Sequence, residues 1–203
     1  MVYGITSYYL GKNQKINIPS IKGTADTNDL SAPINSPVPF ADTQVTTIYT
    51  SHVKLCSNTT LGFEVSYPKD WFTTYNSESE KCTFFAPYSF VVVQSSQDFQ
   101  VPIKIEVTSP EDWSVNLKFQ QNPNDLQNVI STENTQIGER LAIKIEAQST
   151  GLGQLPRGLV KTTYLIYDSL KPTILSYQQL DEKENVAENK SILEDMVTSL
   201  KIF

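Results

Sequence analysis

From about residue 46 onward the chain alternates apolar and polar positions. Leu61, Phe63, Val65 and Tyr67 alternate with Gly62, Glu64 and Ser66. Ile103, Ile105 and Val107 alternate with Lys104, Glu106 and Thr108, and Leu141, Ile143 and Ile145 with Ala142, Lys144 and Glu146. A period of two predicts strands with one buried face and one wet or lightly covered face. Further strands are predicted at Ile48–Leu55, in CTFFAP from Cys82, SFVVVQ from Ser89, LVKTTYLIY from Leu159 and TILSYQQ from Thr173. The turn segment Asp168–Pro172 and the glycine-containing stretch Ser149–Gly158 are short links, so neighbouring strands should form an antiparallel meander.

Two segments switch to helical periodicity. Near the end, Ile192, Leu193, Met196, Val197 and Leu200 fall on one stripe, and Ser191 with Glu194 makes an S-x-x-E capping box, which predicts a helix over Ser191–Leu200. A second helix is predicted to start at Asn122, with Pro123 at its first position and Leu126, Val129 and Ile130 on its apolar face. Helices that fall between and after antiparallel strands, rather than after each one, predict an α+β layered fold.

The first 45 residues follow neither period. Residues 1–10, MVYGITSYYL, are mostly apolar but too few to span a bilayer, which takes about 20 apolar residues. The Tyr8-Tyr9 pair followed by Lys12 suits the headgroup end of a spanning helix, so the segment is expected to be the remnant of a truncated membrane anchor. The alternative is a short N-terminus with a few sticky residues. Lys12, Lys15 and Lys22 stand on the less usual side for an anchor that leads outward. Residues 11–45 are rich in Asn, Ser, Thr, Pro and Asp, a composition that cannot offset the entropy of ordering, and are expected to form a flexible stalk ahead of a domain at 46–203.

Charge and cysteine usage narrow the setting. The 203 residues carry a formal charge of −6, which argues against non-specific nucleic-acid binding and against docking on anionic lipid. The two cysteines, Cys56 and Cys82, read first as a disulfide of an oxidising compartment, closing a loop that contributes about 3.5 kcal/mol on the chain-entropy model. The alternative is two buried thiols packed as small apolar side chains.

The run LGFEVSYPKDWF, Leu61–Phe72, resembles the opening of PsbP-like domains, relatives of an extrinsic photosystem subunit that also occur as anchored proteins of bacteria. The ending ILEDMVTSLKIF, Ile192–Phe203, is similar to their closing helix and short final strand, and VPIKIEVTS with a helix near Asn122 fits the middle. The resemblance covers roughly 46–203. It implies a central twisted antiparallel sheet flanked by helices, an α/β/α sandwich. It implies no particular activity, since a fold does not set function.

Chemistry-bearing patterns are sparse. His52 is the sole histidine and its neighbour Ser51 points to the opposite strand face, so the two make no dyad. There is no C-x-x-C, Walker loop, G-x-G-x-x-G or G-x-S-x-G. Neither catalytic residues, nor a cofactor, nor metal ligands are therefore assigned. The acids Glu78 and Glu80, Glu111 and Asp112, and Asp181, Glu182 and Glu184 form small clusters that read as solvated turns, or else as the carboxylate pair of a hydrolase. Trp71 and Trp113 read as caps on the sheet or as ligand-contact aromatics, together with Tyr164, Tyr167 and Tyr177. The favoured expectation is a monomeric, non-enzymatic extracytoplasmic accessory or binding domain. It would be tethered to the cell envelope by its N-terminal segment and act on an envelope protein or ligand. A carbohydrate or small-ligand binder, and then a carboxylate hydrolase, are the alternatives.

Overall fold

The structure, a computed structural model, describes residues 52–75, 77–92 and 99–203. The expected anchor and stalk, residues 1–45, lie outside the described residues. Twelve elements follow one another: β1 (Val53–Asn58), β2 (Phe63–Pro68), β3 (Phe72–Thr73), β4 (Phe84–Ala86), β5 (Ile103–Val107), α1 (Pro110–Gln121), β6 (Gln127–Ile137), β7 (Arg140–Ser149), β8 (Val160–Ile166), β9 (Thr173–Gln178), α2 (Val186–Ser199) and β10 (Lys201–Ile202). They form a seven-stranded sheet of order β3-β4-β5-β9-β8-β7-β6 and a three-stranded sheet of order β1-β2-β10. Every pairing is antiparallel. The fold is α+β. The meander holds for β6 through β9, while β5 closes against β9 and the chain crosses between them through α1.

The main core lies where α2 packs against β2, β8 and β9. Leu193, Met196 and Val197 of its predicted stripe are fully buried, and they meet Phe63 and Val65 of the small sheet and Ile103, Leu175 and Tyr177 of the large one. The flank of α2 is pinned by two ion pairs to β7, Lys144–Glu194 at 2.8 Å and Lys190–Glu146 at 2.7 Å. The charged off-face of β7 therefore faces a helix rather than open water.

Three expectations need correction. The middle helix is Pro110–Gln121, not a helix from Asn122. Ser109 caps it through its side chain, Pro110 opens it, and Glu111 and Asp112 sit in its first turn. Asn122 is instead its C-cap, because the residue before a proline is driven out of helical geometry. Leu126, Val129 and Ile130 then belong to the approach to and start of β6, whose register shifts between Val129 and Ser131. The last helix begins earlier than Ser191: Asn185 is its N-cap, accepting from the Glu188 N–H, so Ser191 lies inside it. Finally, residues 89–92 are irregular where SFVVVQ predicts a strand; the rest of that segment falls outside the described residues.

Cys56 and Cys82 are bridged, with their Cα atoms 5.8 Å apart. The bridge joins β1 to the turn before β4, and the buried Asn58 side chain reinforces the seam by donating to the Lys81 carbonyl at 2.7 Å. Gly62, in the tight β1–β2 turn, has φ of 75°, a region that disfavours other residues. A Cβ there would also stand 2.6 Å from the Phe203 carbonyl oxygen.

Titration of the unreduced protein should find no free thiol, and replacing both cysteines with alanine should lower unfolding stability by about 2–5 kcal/mol, read from denaturant melts. The hydrogen bond from Lys144 holds the Glu194 carboxyl below its ordinary pKa of 4.5. That pair stabilises the fold above the unfolded pKa and is lost as pH falls through the lower folded one. Glu194→Gln should thus cost less than about 1 kcal/mol near pH 7, since the carboxylate is half exposed. The difference from the parent should vanish in acid, which paired melts across pH 2–7 would show.

Candidate functional site

Trp71, read as a cap on the sheet or else as a ligand contact, is 4% exposed and lies in the main core with the disulfide and Phe85. It presents no face to a ligand. The Y-P-x-x-W sequence turns the chain at Pro68, and the apolar indole is the largest surface available to close the end of the small sheet. Trp113 is half-buried on α1, packed with Leu117, Val129 and Ile143 against the cluster of Ile145, Leu165 and Ile174, its ring 6.2 Å from that of Tyr167. It anchors α1 to the sheet. Tyr164 and Tyr177 are buried on the opposite face, where their hydroxyls donate to Glu194 and Glu184.

The acid clusters do not pair across a cleft. Glu111 and Asp112 occupy the first turn of α1, where Ser109 Oγ donates to Asp112. Glu184 accepts from the Leu180 and Asp181 N–H groups and so closes its own turn. Among the described residues no acid lines the larger cavity on the α1 face, and Asp195 is the one acid lining a smaller cavity near β2 and α2. Among the described residues no three His, Cys, Asp or Glu side chains converge as metal ligands do.

The larger cavity, of about 380 Å³, opens on the face of the seven-stranded sheet that α1 covers. Its origin is local. Residues of one face recur at every second position, and on this face the central strands carry polar side chains: Lys104 on β5, Ser176 and Gln178 on β9, Lys161 on β8. The register sets Lys104 opposite Ser176, and Gln178 opposite Lys161, so these groups form one contiguous floor. Further along the same face Ile174, Leu165 and Ile145 are apolar, and there α1 rests through Trp113 and Leu117. The helix itself buries no residue fully, so it covers the apolar half and leaves the polar half open. Phe99 and Val101 before β5, Phe119 and Leu126 flanking the end of α1, and Leu155 of the β7–β8 loop supply apolar walls.

Lys161 is the central group. Its ammonium donates to Gln120 Oε1 at 3.0 Å and Gln127 Oε1 at 3.4 Å. Gln127 is fixed in turn, because its amide donates to the Phe119 and Gln120 carbonyls at the end of α1. These partners are neutral, and among the described residues no carboxylate lies within ion-pair distance of Lys161. Burial pushes its pKa down to about 8 from 10.5, with attraction from Glu106 and repulsion from Lys104 as smaller and opposed effects. Lys104, by contrast, has Glu106 at 3.7 Å. The sequence signal for this site is faint: Lys104 reads as an ordinary off-face charge, and Lys161 as one lysine in a strand-forming run. What could flag Lys161 is its place in a central strand whose two faces are both covered.

Comparison with known proteins returns a likeness of fold. No family model matches the chain, and no curated protein matches it in sequence. The structure is similar to the solution structure of cyanobacterial PsbP (CyanoP) from Synechocystis sp. PCC 6803, with a TM-score of 0.48 and 12% identity, over 77% of this chain and 96% of that one.

Holding Lys161 charged in the fold opposes stability, because the unfolded chain binds that proton more tightly. The gap between 8 and 10.5 corresponds to at most about 3 kcal/mol, present below pH 8 and vanishing as pH rises to the unfolded value. Lys161→Met should therefore be as stable as the parent or more stable at pH 7, and that advantage should shrink between pH 8 and 10.5. Denaturant melts at pH 7 and pH 10.5 check the sign.

Proposed function

We propose that this chain is a non-enzymatic accessory domain of the cell envelope that binds a small ligand in the cavity beneath the end of α1. The cavity carries the reading. Its volume falls within the usual range for ligand sites, and it combines apolar walls with a few convergent polar groups, as such sites do. A cation kept there against its own desolvation fits a group retained for binding rather than for stability. The disulfide supports an oxidising, extracytoplasmic setting. An anchor of which residues 1–10 are the remnant would tether the domain, and residues 11–45 would space it from the membrane. No helix among the described residues is long and apolar enough to cross one.

Binding is tested by thermal shift of the full chain against a panel of small polar, anionic and apolar compounds. The panel is run beside Ser176→Trp, which fills the cavity floor. Stabilisation of the parent by at least one compound, lost in the variant, is the expected outcome; a panel with no such compound would sink the reading. Setting is tested by alkylating intact cells before lysis. Cys56 and Cys82 should be found oxidised, and trapping both as thiols would remove the extracytoplasmic assignment.

A further inference from the structure

The charges around the cavity select a class of ligand. Lys104 and Lys161 are the two cations on its floor, and they are not equivalent. Lys104 is paired with Glu106 at 3.7 Å, and its ammonium lies 5.6 Å from the centre of the Phe84 ring. Lys161 meets amide oxygens alone. Among the described residues one positive charge is thus left without an ion-pair partner inside a recess, where an uncompensated ion is costly and a counter-ion is worth most. The end of α1 beside it offers a partial negative charge from its last carbonyls, but two of these already accept from Gln127. A single surplus charge matches a monoanion better than a dianion. Beside that charge stand the apolar groups Phe99, Phe119, Leu126 and Leu155, which suit a hydrocarbon or aromatic body.

We infer that the cavity binds a small amphipathic monocarboxylate, its carboxylate paired with the Lys161 ammonium and its apolar body against the walls flanking α1. The inference rests on the binding role proposed above and names the ligand class for that same site. Ser176 of the floor has a hydroxyl that can donate to the second carboxylate oxygen. Gln127 and Gln120 then act as positioning residues that aim the ammonium.

The pairing has a proton signature. Among the described residues the charged groups that act on Lys161 are Lys104 and Glu106 of β5. The side chains that accept from it, Gln120 of α1 and Gln127 of β6, are neutral, as are Ser149 of β7 and Ser176 and Gln178 of β9, which line the same cavity. A carboxylate bound there would favour the charged lysine and raise its pKa. Near pH 8, where the free group is about half protonated, binding should then take up as much as about half a proton.

The test is calorimetric titration of the full 203-residue chain with octanoate and with 3-phenylpropionate, each beside its primary amide. The proposal expects each acid to bind about ten- to a hundred-fold more tightly than its amide, the range for a hydrogen bond to a charged group. Lys161→Met should lose that preference while Lys161→Arg keeps most of it, and Ser176→Trp should abolish binding. Titration at pH 8 in two buffers of different ionisation enthalpy should reveal proton uptake with the parent and none with Lys161→Met. Amides that bind as well as their acids would overturn the anion assignment and leave the binding role standing. An acid preference that survives in Lys161→Met would overturn the assignment to Lys161. Failure of all four compounds to bind would overturn the proposal outright, and the role itself would then rest on the broader thermal panel.

Discussion

Burial of one helical stripe organises this domain. Leu193, Met196 and Val197 of α2 lose essentially all contact with water, and side chains of this kind contribute about 1.5–3 kcal/mol each when fully buried. To shed that surface the helix needs apolar partners on two sides, and it finds them in the small sheet and in one face of the large one. The small sheet is in turn held by the chain that leaves α2. β10 pairs with β2, and Ser199 Oγ accepts from the Ser66 N–H at 3.0 Å. The disulfide fastens the outer strand of that sheet to the turn before β4. Remove the stripe and the two sheets lose the helix that packs against both.

The same packing creates the cavity indirectly. With α2 on one face of the sheet, the helix that the described residues offer to the other face is α1, which has a weak apolar side. α1 covers Ile174, Leu165 and Ile145 and extends no further. The uncovered floor can be only as apolar as its solvation allows, and it carries lysine, serine and glutamine. Lys161 stands at the boundary between the two halves, close enough to α1 to be desolvated and, among the described residues, far enough from any carboxylate to form no ion pair. The position that costs the fold stability is therefore also the one with most to gain from a ligand.

Much of the fold was legible in local patterns. The alternation in β2, β5 and β7 and the α2 stripe all correspond to elements of the structure, because period and secondary structure are linked by backbone geometry alone. The errors fell where two local signals competed. Asn122-Pro123 can open a helix or close one, and Ser109-Pro110-Glu111-Asp112 had the stronger claim to an opening. Ser191 and Glu194 form a capping box by spacing, but a cap requires an N-terminus, and Asn185 had already supplied it. Trp71 was visible as an aromatic near a turn. Whether its face met water or a core depended on residues far along the chain.

The sequence by itself determined the strands β2, β5, β7, β8 and β9, the class of the fold, the stripe that α2 would bury and the pair of cysteines available for bridging. Each of these depends on spacing within a short window. The tertiary structure alone decided that Cys56 reaches Cys82, that Trp71 is core, and that Lys161, Lys104, Gln127 and Ser176 share one recess. Those outcomes depend on strand order and register, which bring together residues from four separate segments. Nothing in any one segment marks Lys161 as unpaired, because an ion pair is a property of distance between side chains, and that distance exists only once the sheet has formed.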